Sequence, residues 1–346
     1  MLEVGIIGCG LIGRKRAKVI KEDPACTLRC AADVDVKMAE TLRDYADGNF
    51  TCYQSWEDML ERESPGVVVA ATPNKYLQEI TLQSAQKKIH VLCEKPLGRN
   101  VQESKEMVVA AKEKGVILKT GFNHRHHPAI SQAQKLATEG AIGALYYAKC
   151  SYGHGGRPGY EKEWRAGKEV SGGGELLDQG VHVVDLFRWF FGDFQEAFGT
   201  ISTYYWDMDV EDTAFALFKT AKGQTASMHT SWTQWKNRFT FEIFGEAGYL
   251  IVEGLGGSYG VETLKIGKRK REEGKMLKYL GGVPDEEILT YEGPDTSWRE
   301  EWKEFTAAIR ENREPMGNGE DGLEAMRMIE AVYRSSKENR PIKIKE

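Results

Sequence analysis

Apolar and polar positions change their rhythm once along the chain. Up to about residue 122, short continuous apolar runs alternate with stretches in which apolar residues recur every three or four positions. A continuous run predicts a strand buried on both faces, and the longer period predicts a helix laid over it. The predicted strands are 4–7, 28–32, 66–71, 90–93 and 116–122. Between them fall a helix after Gly13, a helical stretch at 36–45 and a short helix capped by Ser55 with Asp58 three residues on. Two longer helices follow: 75–87, with Asn74 as its cap, and one opened by Asn100 and Glu103 that runs to Lys114 and stops at Gly115. Strand alternating with helix predicts a doubly wound parallel sheet.

After Asn123 the pattern becomes helix 129–139, strand 144–152 and one apolar helix, 176–191, closed by Gly192. Strand patterns then follow one another at 194–205, 212–220, 224–233, 238–244 and 249–253, with turn residues such as Ala221-Lys222-Gly223 between them. Consecutive strands with short turns predict an open, mainly antiparallel sheet. Residues 254–295 are glycine-rich and weakly patterned, which predicts loops and short strands; helices 297–311 and 320–339 close the chain. The expected organisation is α/β: a doubly wound unit over 1–122, and an α+β unit over 123–346 whose sheet can pack one face on a helix and offer the other to a ligand or another subunit.

The totals narrow the function classes. A chain of 346 residues with 41% hydrophobic and 29% charged content suits a two-domain globular protein. A net charge of −5, with both signs interleaved, argues against nucleic acid as the main partner. The densest basic run, Lys268-Arg269-Lys270-Arg271, meets Glu272-Glu273 at once and predicts a solvated loop or hairpin tip. No apolar run approaches the ~20 residues that cross a bilayer. Six scattered Cys without a Cys-x-x-Cys pair suggest a reducing compartment, and a strand beginning near Met1 leaves no room for a signal peptide. A cytoplasmic protein with no membrane partner is expected.

Candidate chemistry begins at the first strand end. Gly8, Gly10 and Gly13 form G-x-G-x-x-G between a strand and a helix, the context that gives the motif its meaning. Gly8 allows a tight turn, Gly10 lets backbone approach a pyrophosphate, and Gly13 lets helix and strand pack closely. Phosphates would sit at the helix N-terminus beside Leu11 and Ile12. Asp33, twenty residues past Gly13, would accept hydrogen bonds from ribose hydroxyls and repel a 2′-phosphate. That favours NAD, although Arg14 nearby could accept the extra phosphate of NADP. Thr72, Pro73, Asn74 and Glu94-Lys95 also fall at strand ends, where ligands of such sheets bind.

Lys95, just before Pro96, could hold a substrate oxygen and steady developing charge; taken alone, the favoured reading is an ordinary surface lysine. Asp178 and His182, four apart, would share a helix face, with the carboxylate beside a proton-accepting imidazole. The rival reading is a core helix with one hydrogen-bonded histidine. Asn123 and Arg125 could bind substrate oxygens; His124, His126 and His127 beside them cannot easily converge on a metal, and none is expected. His154, Arg157, Tyr160 and Trp164 lie in a glycine-rich loop that could cover a polar ligand or meet another subunit.

The glycine loop, Glu94-Lys95-Pro96, Gly121-Phe122-Asn123 and Asp178…His182, in this order over essentially the whole chain, resemble the Gfo/Idh/MocA oxidoreductases. That family includes glucose–fructose oxidoreductase and inositol 2-dehydrogenase. The resemblance implies an N-terminal Rossmann domain, a C-terminal sheet that joins dimers or tetramers, and final helices that pack back toward the first domain. It implies hydride transfer between a nicotinamide and a secondary alcohol or ketone of a sugar, cyclitol or nucleotide-sugar. Lys95 matches the family's lysine, His182 its acid/base histidine and Asp178 its helix aspartate. The family usually carries Arg where His124 stands. Two alternatives remain: a glycosidase that oxidises its substrate transiently with bound NAD, and a non-catalytic dinucleotide-binding protein.

Overall fold

A computed structural model describes residues 1–269 and 286–345. The first sheet holds strands β1 (Leu2–Ile7), β2 (Cys26–Ala32), β3 (Thr51–Tyr53), β4 (Val67–Ala70), β5 (His90–Cys93) and β6 (Leu118–Thr120), in the order β3-β2-β1-β4-β5-β6. All its pairs are parallel. The strand order reverses between β1 and β4, and a crevice opens beyond the carboxyl ends at such a point. Val67 to Ala70 are buried throughout because helices cover both faces. On one face Val4, Ile6, Leu28 and Val69 share a core with Trp302 and Phe305, so the helix Ser297–Glu311 near the end of the chain completes the packing of its beginning. Each of those two rings, fully buried, contributes on the order of 3 kcal/mol.

The same helix carries Glu301, which binds the buried Arg16 at 2.6 Å; Arg16 in turn grips Glu94 at 2.6 Å. Lys119 of β6 donates to the Met316 carbonyl, and Thr120 N–H bonds the Gly317 carbonyl at 2.8 Å. The two ends of the sequence are thereby locked together by paired buried charge and by backbone.

The second sheet has nine strands: β7 (Leu145–Gly153), β8 (Phe194–Ser202), β9 (Thr213–Thr220), β10 (Thr225–Ser231), β11 (Arg238–Gly245), β12 (Gly248–Glu253), β13 (Glu262–Lys268), β14 (Glu286–Tyr291) and β15 (Ile342–Lys343). Their order is β14-β13-β12-β11-β7-β10-β9-β8-β15, antiparallel except for the β7–β10 pair. Alternating burial in β9 puts Phe218 inside, against the helix Gly180–Phe191, and leaves Phe215 and Leu217 outside. Helix Gly319–Glu338 covers the same inner face.

Within 254–295, expected as loops and short strands, β13 and β14 are two such strands and extend the sheet beyond β12, while 270–285 lie outside the described residues. Several other expectations need correction. Stretch 36–45 splits into a helix, Val36–Glu40, and one tight turn, Arg43–Tyr45. Asn74 does not cap its helix: its amide donates to the Ser171 carbonyl at 2.7 Å, and Pro73 occupies the cap position. The expected single helix 176–191 is two, Glu175–Asp178 and Gly180–Phe191, broken at Gln179. Of the basic run, Lys268 ends β13, whereas Lys270 and Arg271 lie outside the described residues.

Candidate active site

Geometry at the glycine turn suits a dinucleotide. Gly8 has φ +91°, and a Cβ there would stand 2.6 Å from the Ala71 backbone. A Cβ on Gly13 would stand 2.1 Å from the Gly8 carbonyl oxygen, whereas one on Gly10 would meet nothing within 4 Å. Gly8 and Gly13 are therefore fixed by packing, and Gly10 leaves open space for a ligand's backbone-side approach. Helix Leu11–Lys21 starts without a side-chain cap, leaving its first N–H groups to an anion. Asp33 accepts from Cys9 N–H at 2.7 Å, which ties the end of β2 to the loop and points the carboxylate into the same corner. These residues fit the pyrophosphate and ribose of NAD.

From this turn a cavity of about 1300 Å³ runs to the inner end of the second sheet. Of the sequence-predicted residues, Gly8, Gly10, Leu11, Ile12, Asp33, Thr72, Pro73, Asn74, Glu94, Lys95, Asn123, Arg157, Trp164, Asp178 and His182 line it. Gly13, Arg14 and Arg125 do not. Gly13 serves the packing just described. Arg14 is exposed on the helix outside the cavity.

Arg125 is corrected from substrate ligand to structural tie. Its guanidinium meets Asp185 at 2.8 and 2.5 Å and Asp321 at 3.0 Å, and it lies within 6 Å of the Phe122 and Trp189 rings. Only 4% of the side chain is exposed. The guanidinium is buried between two carboxylates and does not line the cavity, so a ligand there does not reach it. Asn123 donates to Ser297 Oγ at 2.9 Å, Glu94 is held by Arg16, and Arg157 is bound by Glu163 at 2.7 and 2.8 Å. Each of these three keeps a place on the wall while its charge or amide is engaged elsewhere.

Lys95 reaches across from the end of β5 to Asp178. Its ammonium donates to Asp178 Oδ1 at 2.6 Å and to the Asp178 carbonyl at 2.7 Å. Arg165 stands 3.6 Å from the other carboxylate oxygen. Burial would raise this carboxyl, but Lys95 and then Arg165 overcome that and hold it at about 2. An ammonium has three donors, so Lys95 keeps one for a ligand.

The Asp178–His182 pair expected from the spacing does not form. Asp178 is taken instead by Lys95 and faces Arg165. His182 Nδ1 is buried without a partner. Its ring is held by faces instead: His124 stacks on it at 3.8 Å and 22°, and Phe122 meets it edge-on at 6.1 Å. Burial first, then the charges of Lys95 and His127, push the His182 pKa well below its ordinary value. The imidazole is neutral at physiological pH and free to accept a proton.

Residues that the sequence reasoning left out of the site also line the cavity: His124, Tyr152, Arg165, Tyr259 and Glu57. Tyr152 sits one residue from the end of β7, next to the loop that was singled out, and Tyr259 lies within the glycine-rich Gly256–Gly260; both positions carried that signal. Among the described residues, no group of three or more His, Cys, Asp or Glu is placed to hold a metal ion.

Two family models match. Residues 2–122 match the oxidoreductase family with an NAD-binding Rossmann fold, and residues 130–251 match the GFO/IDH/MocA C-terminal domain. The chain belongs to the Gfo/Idh/MocA oxidoreductases. Within and around this family, levoglucosan dehydrogenase of Pseudarthrobacter phenanthrenivorans is 29% identical over 286 residues, covering 72% of this chain and 73% of that one. Myo-inositol 2-dehydrogenase of Thermotoga maritima is 24% identical over 356 residues, covering 100% and 99%. A solved levoglucosan dehydrogenase in complex with NADH and L-sorbose superposes with a TM-score of 0.86 at 25% identity, covering 99% of each chain. These homologues are sugar and cyclitol dehydrogenases, and no described helix of this chain is long and apolar enough to cross a membrane.

Proposed function

We propose that this chain oxidises a secondary hydroxyl of an uncharged sugar or cyclitol with NAD, and runs the reverse reduction. The observation that carries the reading is that Lys95 and His182, from opposite halves of the sequence, line one cavity that is continuous with the glycine turn. When bound, the nicotinamide supplies the hydride acceptor. His182 takes the hydroxyl proton at Nε2, its nitrogen not sealed in the core. Lys95 gives its third N–H to the same substrate oxygen and steadies negative charge there. Asp178 fixes the ammonium through two hydrogen bonds. In the reduction direction His182 returns the proton.

Charge at the substrate end supports a neutral ligand. Arg157 is committed to Glu163, and Arg165 stands between Glu163 and Asp178, 3.6 Å from each. Tyr152, Tyr160, Trp164 and Tyr259 line the cavity, and such aromatic lining suits the apolar face of a sugar. At the ribose corner, Asp33, Val34, Gln54, Ser55, Trp56 and Glu57 carry two carboxylates and no cation, which supports NAD over NADP. The outer face of the second sheet exposes Phe198, Phe215 and Leu217, with Phe198 and Leu217 directly paired across β8 and β9. A second copy of the chain is the proposed occupant of that face, and L217K should then give monomers by light scattering. The six unpaired thiols suit a reducing cytoplasm.

The test is absorbance at 340 nm with NAD and a panel of sugars, cyclitols and nucleotide-sugars. K95A and H182A should each lower turnover by roughly 10²–10⁴-fold while NAD still binds. Near-normal rates in both variants overturn the assignment. A glycoside that releases its aglycone without NADH accumulating favours the glycosidase alternative.

A further inference from the structure

An acid/base imidazole is commonly aimed by a carboxylate or carbonyl on its second nitrogen. In this chain that nitrogen, Nδ1 of His182, has no acceptor. Something else must fix the ring, because a proton acceptor that rotates away from its target by even one ångström loses much of its effect. His124 covers one face of the ring at 3.8 Å.

His124 is itself gripped. Its Nδ1 lies 3.2 Å from Asn123 Oδ1, and Asn123 is anchored to Ser297. Tyr152 lies against it at 5.2 Å, His127 at 5.6 Å edge-on and Phe239 at 6.0 Å edge-on. His127 is held in turn by Glu262 at 3.0 Å. The titratable groups facing the stack are thus His127, Tyr152 and Lys95, with Glu262 one contact further out. Burial, then His182, His127 and Lys95, drive the His124 pKa well below its ordinary value, so the platform carries no charge. Two rings in such contact cannot both be protonated without strong repulsion in a dry site.

We propose that His124 is the positioning residue for His182, its flat uncharged ring fixing the aim of Nε2 and excluding water from the imidazole face. The inference rests on the reading of His182 as the proton acceptor.

The experiment compares H124F, which keeps a flat ring, with H124A, which removes it. The first readout is ¹⁵N-histidine NMR of the whole protein across pH 4.5–8, tractable with seven histidines, the His182 signal being assigned by its loss in H182A. Wild type and H124F should keep His182 neutral well below pH 6.5; in H124A its titration should rise toward that ordinary value as water reaches the ring. The second readout is turnover at 340 nm with levoglucosan and with myo-inositol. H124A should lose roughly tenfold to a hundredfold in kcat with KM changed less than about threefold, and H124F should stay within about threefold of wild type. If H124A does not fold, H124N replaces it as the ringless variant. An unshifted His182 titration in the ringless variant overturns the proposal, as does an H124F protein that loses as much as H124A. An H182A enzyme that retains activity sinks the proton-acceptor reading itself; an inactive H182A beside an unperturbed H124A sinks the positioning role alone.

Discussion

Two ion pairs on neighbouring elements look alike in sequence and behave in opposite ways. Lys95–Asp178 and Arg125–Asp185 each join a cation after a strand of the first sheet to a carboxylate from 178–185. The first pair is about one-fifth exposed and opens on the cavity; the second is sealed, at 4% and 2%. The Asp178 carboxyl is held at about 2, because its two cations outweigh burial; that of Asp185 is pushed up to about 6, because burial outweighs Arg125. The difference teaches which charge can work: a pair that opens on the cavity and keeps a spare donor can act on a ligand, whereas a pair sealed away from the cavity only holds helices together.

Substituting the cations separates the two roles most sharply. K95M should lower kcat by roughly 10²–10⁴-fold and shift Tm by only a few degrees, seen by 340 nm kinetics beside thermal melts. R125M should do the reverse: about 3–5 kcal/mol of stability lost in urea unfolding, because Asp185 is left buried without its cation while Asp321 keeps only Arg188, with kcat per folded molecule little changed. An R125M enzyme that is stable but inactive would break the comparison. D178N comes next, with roughly tenfold or more lost from kcat as Lys95 loses its anchor. It also bears on acid stability. A carboxyl whose folded pKa is depressed gives stability that is present above 3.8 and lost as pH falls through about 2, so D178N should unfold with a flatter profile below pH 4.

The smallest effect concerns Glu175, buried beneath the site with both carboxyl oxygens unpaired. Burial, then Asp178, raises its pKa well above 4.5. The folded chain keeps this proton while the unfolded chain loses it. The associated stability is fully present below about 4.5 and drains away as pH rises toward the folded value. E175Q should match wild type near pH 5 and hold its Tm better toward pH 8, by calorimetry across that range.

Much of the fold was legible because local patterning and tertiary placement agreed. The glycine turn, the buried run at Val67–Ala70 and the Gly115 stop needed no distant partner to be read. Arg125 failed because a guanidinium reads the same whether its carboxylate belongs to a ligand or to Asp185 and Asp321, 60 and 196 residues away. Asn74 was drawn from its cap position by the Ser171 carbonyl, again a remote group. The four-residue spacing of Asp178 and His182 implied a contact, but the carboxylate is claimed by Lys95, 83 residues away in sequence. Lys95, just after a strand, and His182, near the start of its helix, nonetheless line one cavity.

The helix Ser297–Glu311 has a consequence for anyone who would transplant this protein's cofactor module. Cutting at the boundary that family matching suggests, after residue 122, would strip Trp302, Phe305 and Glu301 from the parts they cover and leave Arg16 with one carboxylate in place of two. A working graft would need residues 1–122 stitched to that distal helix, as though the chain were a belt whose buckle is made from both of its ends.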